Sequence, residues 1–126
     1  MPRTAVTTGR IARPVGPFSP AVECDGSLYL SGQVAQDPIT GTLIDGDVAA
    51  QTEQILLNAT AILQAGGKDL DDVVKVGVFL TDMADFQAMN AIYARHFGAP
   101  YPARTTVEVS ALPLGARVEM DFVARW

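Results

Sequence analysis

Lysine, histidine and cysteine are nearly missing from this 126-residue chain, which has Lys68, Lys75, His96 and Cys24 and no others of those types. A single cysteine excludes an internal disulfide and suits a reducing compartment. One cysteine and one histidine give no zinc-ligand spacing, so no metal is expected. With two lysines, scattered arginines and a net charge of −5 there is no basic stripe for a phosphate backbone, and nucleic acid is not an expected partner. Long apolar runs are also lacking: none approaches the roughly 20 residues that span a bilayer, so a membrane is not expected either. No G-x-G-x-x-G follows a strand. "LQAGGKDL" only superficially resembles a phosphate loop, with Ile62 at the first glycine position and Asp69 at the Ser/Thr position.

What is present reads as one domain over residues 1–126, long enough for a single two-layer core. The mean hydropathy of +0.19 indicates more apolar surface than a small monomer easily hides, and self-association would bury the excess. The first 22 residues carry Arg3, Arg10 and Arg13 and no acid, a bias shared with transit peptides. Pro2, Gly9, Pro14, Gly16 and Pro17 interrupt any amphipathic helix there, so the segment reads as an N-terminal strand and lead-in of a cytoplasmic protein.

In "AVECDGSLYLSGQ", Asp25-Gly26 separates two alternating segments and predicts a hairpin with a type I′ turn. "AQDPITGTLIDGD" reads as an exposed loop. Asp47 is a plausible N-cap for a helix reaching about Ala65, with Val48, Thr52, Ile55, Ala59, Ile62 and Leu63 on one stripe and Gly66-Gly67 as its stop. "DVVKVGVFLT" is a well-buried strand. A second helix is expected from Thr81 or Asp82, with Phe86, Met89, Tyr93 and Phe97 on its apolar face and Gly98 ending it. Two more strands follow, joined through "SALPLGA". The order is β-β-α-β-α-β-β, an α+β fold with both helices on one face of a mixed sheet. Other subunits are the simplest cover for the second face.

His96 falls in a helix's last turn, where it suits the helix dipole better than nucleophile activation of Ser19 or Ser31. Cys24 beside the turn reads as a packing residue. The terminal strands hold the remaining chemistry. Arg104, Thr106 and Glu108 share one face of the first, and Arg117, Glu119 and Asp121 share one face of the second. Antiparallel pairing of these two strands would bring Glu119 near Thr106 and Val107. A solvated polar face with a cross-strand ion pair, worth ~0.2–1 kcal/mol, explains the pattern as well as a site does. In the alternative, Arg104 grips a substrate carboxylate while Glu119 handles a proton.

"GPFSPAV", "LYLSGQVAQDPITGTL", "AQTEQILLNATAILQAGG", "DDVVKVGVFLTDMADFQAMNAIYARHFG" and "PARTTVEVSALPLGARVEMDFVA" together resemble, in order, the RidA (YjgF) family of enamine and imine deaminases, over roughly residues 14–124. The resemblance implies a chorismate-mutase-like α+β fold, a homotrimer packed around a central barrel, and sites in clefts between subunits. It implies cofactor-free hydrolysis of enamines and imines such as 2-aminoacrylate to a 2-keto acid and ammonia. By position, Arg104 matches the arginine that salt-bridges the substrate carboxylate, and Glu119 the glutamate that helps position and deprotonate water. The nearby positive charge is expected to keep Glu119 ionised. Ser31 and Gly32 match the turn lining the pocket, Thr106 a residue whose carbonyl helps hold water, and Asn90 an asparagine near the subunit interface. Phe18 stands where the family usually has a tyrosine whose hydroxyl enters the site, and Pro20 replaces a glutamine. A lost buried partner costs ~1–3 kcal/mol where a substrate depends on it, so Phe18 suggests a specialised paralogue acting on another enamine, of the 3-aminoacrylate or aminomuconate type. A non-catalytic trimer binding small carboxylates is the reading from another class.

Overall fold

The computed structural model describes residues 2–126. The N-terminal segment supplies a strand, Thr4–Val6 (β1), that pairs antiparallel with Ala21–Cys24 (β2). Asp25 and Gly26 both take positive φ, 52° and 78°, which closes the expected tight hairpin from β2 to Ser27–Gln33 (β3). Helix α1 spans Val48–Ala65, and the Asp47 carboxylate caps it by accepting from the Ala50 N–H at 3.0 Å. Strand β4 is Val73–Leu80. The second helix, α2, is shorter than its apolar spacing suggests, at Phe86–His96. Asp82 caps a 3₁₀ turn over Met83–Asp85 first, so the α-helix starts four residues after Asp82. Strands β5 (Ala103–Glu108) and β6 (Val118–Arg125) complete the chain.

The six strands form one sheet in the order β1-β2-β3-β6-β4-β5, with the expected N-terminal strand at its edge beside β2. One face carries Leu28, Leu30, Val76, Val78, Leu80, Val118, Met120 and Phe122, all buried against Ile55, Leu56, Ile62 and Leu63 of α1 and Met89 of α2. Both helices therefore lie on this face. No helix among the described residues is long and apolar enough to cross a membrane.

The expected pairing of β5 with β6 does not occur. β4 lies between them, parallel to β5 and antiparallel to β6. The reason is chemical. An apolar strand such as VVKVGVFL can be covered on both sides and laddered on both edges, whereas β5, written Ala-Arg-Thr-Thr-Val-Glu, tolerates an edge. The connection after Glu108 is long enough to cross past β4. Its Val109 N–H continues the β4 ladder to the Leu80 carbonyl at 2.8 Å.

Residue 117 fixes where β6 begins. The Arg117 N–H donates to Gln51 Oε1 on α1 at 2.9 Å, and its carbonyl accepts from the Thr81 N–H at 3.2 Å. Its guanidinium forks onto Asp85, at 2.8 Å to Oδ1 and 3.0 Å to Oδ2, ahead of α2. Asp85 is only 9% exposed, and a buried carboxylate needs such a charged partner. Asp85→Ala should therefore cost about 1–3 kcal/mol in urea unfolding, and Asp85→Asn less, since it keeps an acceptor for Arg117. A loss below about 0.5 kcal/mol in Asp85→Ala would show that this fork does not hold β6 in place.

Candidate active site

Side chains alternate along each strand, so residues level with one another on neighbouring strands share a face. Arg104 is level with Val76 and Thr106 with Val78, which puts both on the helix-covered side. α2 presents Phe86, Met89 and Tyr93 there. The Arg104 guanidinium carbon lies 4.8 Å from the Tyr93 ring centre and 5.6 Å from that of Phe86. Its Nη1 is 3.9 Å from the Met89 sulfur. Its charge has no acid opposite it: the salt bridges among the described residues are His96 with Glu53 and Arg117 with Asp85. The cross-strand ion pair that would explain the polar face is thus not formed. Glu108, two rungs along, instead accepts from the Met83 N–H at 2.8 Å.

Arg104 opens onto a cavity of about 280 Å³ shared with Asn90, Tyr93, Ala94, Tyr101 and Pro102. Asn90 Oδ1 and the Tyr93 hydroxyl are buried without a hydrogen-bond partner. Burial raises the Tyr93 pKa, and the positive charge of Arg104 opposes that rise.

Glu119 lies on the other face. It is level with Phe79, on the side that no helix covers. Gly32 is its floor: a Cβ at that position would stand 2.5 Å from Glu119 Oε2. Sequence resemblance assigns Gly32 to a pocket-lining turn; its measurable role is to leave space for this carboxyl. Ser31 anchors the wall beside it. The Ser31 Oγ donates to the Ser19 carbonyl at 2.6 Å and the Ser31 N–H to the Pro20 carbonyl at 2.9 Å. That holds the segment bearing Phe18, which is 51% exposed, above a recess it shares with Ile11, Val15, Pro20 and Gly32.

The predicted residues thus divide into two groups, Arg104, Thr106 and Asn90 on one side of the sheet and Glu119, Ser31, Gly32 and Phe18 on the other. Within one chain Arg104 cannot set the charge of Glu119, contrary to the expectation from sequence. The Glu119 pKa is raised instead, first by burial and then by the Asp121 carboxylate. His96 is engaged with Glu53, at 2.8 Å, rather than with either serine. Sequence reasoning missed the cage around Arg104. Phe86, Met89 and Tyr93 recur at helical spacing, but nothing in that spacing says which strand residue they meet. Among the described residues no three His, Cys, Asp or Glu side chains gather where they could hold a metal ion.

Residues 8–126 match the family model described as Endoribonuclease L-PSP. The human protein named 2-iminobutanoate/2-iminopropanoate deaminase is 42% identical over 122 residues, covering 97% of this chain and 89% of that one. The crystal structure of RidA from an Antarctic Psychrobacter superposes with a TM-score of 0.94 at 40% identity, over 98% of this chain and 100% of the other. Escherichia coli TdcF, crystallised with bound serine, superposes with a TM-score of 0.91 at 31% identity, covering 98% of each chain.

Gly32→Ala should test the seat of Glu119. The atom in the way is the end of a flexible side chain, so the stability cost should stay within about 1 kcal/mol. The carboxyl should be displaced toward water, and its pKa should fall toward the ordinary glutamate value. In the parent, ionising Glu119 costs stability as pH rises through its raised titration range, with the full stability present below the unfolded value. That loss should shrink in Gly32→Ala. An unchanged Glu119 titration, followed by carboxyl NMR, would contradict the close approach.

Proposed function

The chain belongs to the RidA (Endoribonuclease L-PSP) family, and from that premise we propose that it hydrolyses reactive 2-imino acids, and the enamines that tautomerise to them, to 2-keto acids and ammonia. One observation carries the reading: a half-buried guanidinium, stacked on aromatic rings, opens onto a cavity and has no acid of its own chain. Such a group is prepared for an external carboxylate. The deaminase name of the human relative supports the reaction, and serine bound to TdcF supports a small amino-acid-like ligand.

Arg104 and Glu119 lie on opposite sheet faces, so we place the working site between copies of the chain in a homotrimer. Arg104 of one protomer then serves the same cleft as Glu119, Ser31 and Phe18 of the next. The face bearing Glu119 supports this, because Tyr29 and Val107 remain 46% and 39% exposed on it. Free Cys24 suits a cytoplasmic setting.

In this cleft the substrate carboxylate pairs with Arg104 and the protonated imine carbon faces a water beside Glu119. Water oxygen bonds to that carbon as Glu119 takes one of its protons, and the C=N electron pair moves to nitrogen. This gives a neutral carbinolamine. Glu119 then returns its proton to the amino group. The C–N bond breaks, ammonia leaves with the bonding pair, and the hydroxyl oxygen forms the carbonyl as its proton passes to Glu119, which gives it up to the departing ammonia and is restored as the carboxylate. The barrier falls through orientation and proton handling.

Phe18 favours a second reading on the substrate side, an enamine that needs no hydroxyl from the wall. Restoring the hydroxyl in Phe18→Tyr should change relative rates across a panel of imines.

Arg104→Ala should lower kcat/KM about 10- to 100-fold in an assay where an amino-acid oxidase supplies the imine. A full rate would remove Arg104 from the site. Mixing unfolded Arg104→Ala and Glu119→Gln chains and refolding them together should restore intact sites at about one in four, as random assembly across a heterologous interface requires. No recovery of activity would place both groups in a single chain and refute the shared cleft.

A further inference from the structure

Asp121 plays no part in the reaction as described so far, yet its surroundings are as specialised as those of Glu119. It follows Glu119 by two residues on β6, and therefore lies next to it on the same face, about 7 Å along the strand. It is level with Gly77 of β4, as Glu119 is level with Phe79. The Gly77 N–H donates to Asp121 Oδ1 at 3.0 Å. A Cβ at position 77 would collide with that oxygen, so glycine is what lets the carboxylate lie across the strand. The Phe79 ring also leans over Gly77, its Cε2 being 3.4 Å from where that Cβ would stand. An acid tied to a backbone N–H is thus held beside one that has no such tie, each over its own glycine.

We propose that Asp121 is a positioning residue for the same site: its clamped carboxylate sets the proton affinity of Glu119, so that one group both takes a proton from water and returns it to nitrogen. This rests on the deaminase reading. The direction of the Glu119 shift, raised by burial and then by Asp121, agrees with the geometry.

Other charges around Glu119 are few or already engaged: Arg117, two residues before it, turns its guanidinium onto Asp85. On β4, Lys75 Nζ donates to Thr105 Oγ1 at 2.9 Å. At the far end of β6, Arg125 donates to Ser27 Oγ at 2.9 Å. β3 contributes Tyr29, and β5 contributes no charge on this face. The segment bearing Phe18 contributes Arg13, which is exposed. In the assembled cleft Arg104 of the neighbouring copy pulls Glu119 toward ionisation, but a bound substrate carboxylate neutralises that pull. Asp121 then remains the fixed charge acting on Glu119 during turnover, which kcat against pH reports.

Asp121→Asn keeps an acceptor for the Gly77 N–H and removes the charge. Carboxyl NMR of the assembled, ligand-free protein should show Glu119 titrating at lower pH than in the parent. The acid limb of kcat should move the same way, with KM within about twofold because Arg104 is untouched. Asp121→Glu should return the limb toward its original position. Asp121→Ser, a second neutral variant with a hydroxyl acceptor, guards against a local failure of Asp121→Asn to fold. An unmoved Glu119 titration in both neutral variants overturns the proposal whether or not the protein is active. A moved titration with an unmoved kcat limb overturns the catalytic role. A moved titration without imine turnover in any form of the protein overturns the deaminase reading, and with it the role of Asp121 in catalysis.

Discussion

The structure turns on a positive charge that its own chain leaves uncompensated. Taking a guanidinium partly out of water is costly unless something replaces the lost hydration. Here the replacement is two aromatic faces and a thioether, and cation–π contact of this kind offers ~0.5–2 kcal/mol. That is enough to hold Arg104 in place and too little to satisfy its donors. Arginine suits the position where lysine would not, because a planar guanidinium stacks on a ring and still presents its edge to an anion. The unpartnered Asn90 Oδ1 and Tyr93 hydroxyl show that polar groups on this side are left open by more than one residue.

The opposite face follows a different rule. A sheet side meant for a dry core does not carry Glu119 and Asp121 over glycines. Gly32 and Gly77 open space where any side chain would close it, and the two acids fill that space unequally. Asp121 is tied to a backbone N–H, while Glu119 has no hydrogen-bond partner of its own chain among the described residues. A layer that covers this face has to keep a wet cleft over Glu119, or leave an ionised group buried and unpaired.

Much of the fold was legible because local chemistry decided it. Asp25-Gly26 wrote its turn, Asp47 its cap, and Ile55, Ala59, Ile62 and Leu63 the buried stripe of α1. The alternation that sets Arg104 with Thr106, and Glu119 with Asp121, was legible as well. What sequence could not supply was strand order. "SALPLGA" serves as well for a hairpin as for a crossing past β4, and local pattern does not record which was taken. Strand order set Glu119 one strand away from Arg104, and the register on β4, equally silent in the sequence, set it on the far side of the sheet. The aromatic cage stayed hidden for the same reason, since Phe86, Met89 and Tyr93 read as core until their strand neighbour is known. Asp121 read as one more member of an alternating polar set, because the glycine beneath it lies 44 residues away in sequence.

The interposed strand explains how a base and a cation can both remain available in so small a protein. Placed on one face of adjacent strands, Arg104 and Glu119 would lie within reach of each other and neutralise each other, and the pair would only be a surface salt bridge. β4 prevents this by standing between them, and its registers, Val76 level with Arg104 and Phe79 level with Glu119, set their side chains on opposite sides of the sheet. The two charges can then meet only across a boundary between copies of the chain, where a third charge, the carboxylate of a small ligand, can stand between them. In the proposed cleft the guanidinium would bind that carboxylate, and the glutamate, relieved of the opposing cation and beside Asp121, would keep its affinity for a proton. Separation within the chain follows from the order and the register in which three strands lie side by side, and the proposed convergence between copies is its counterpart.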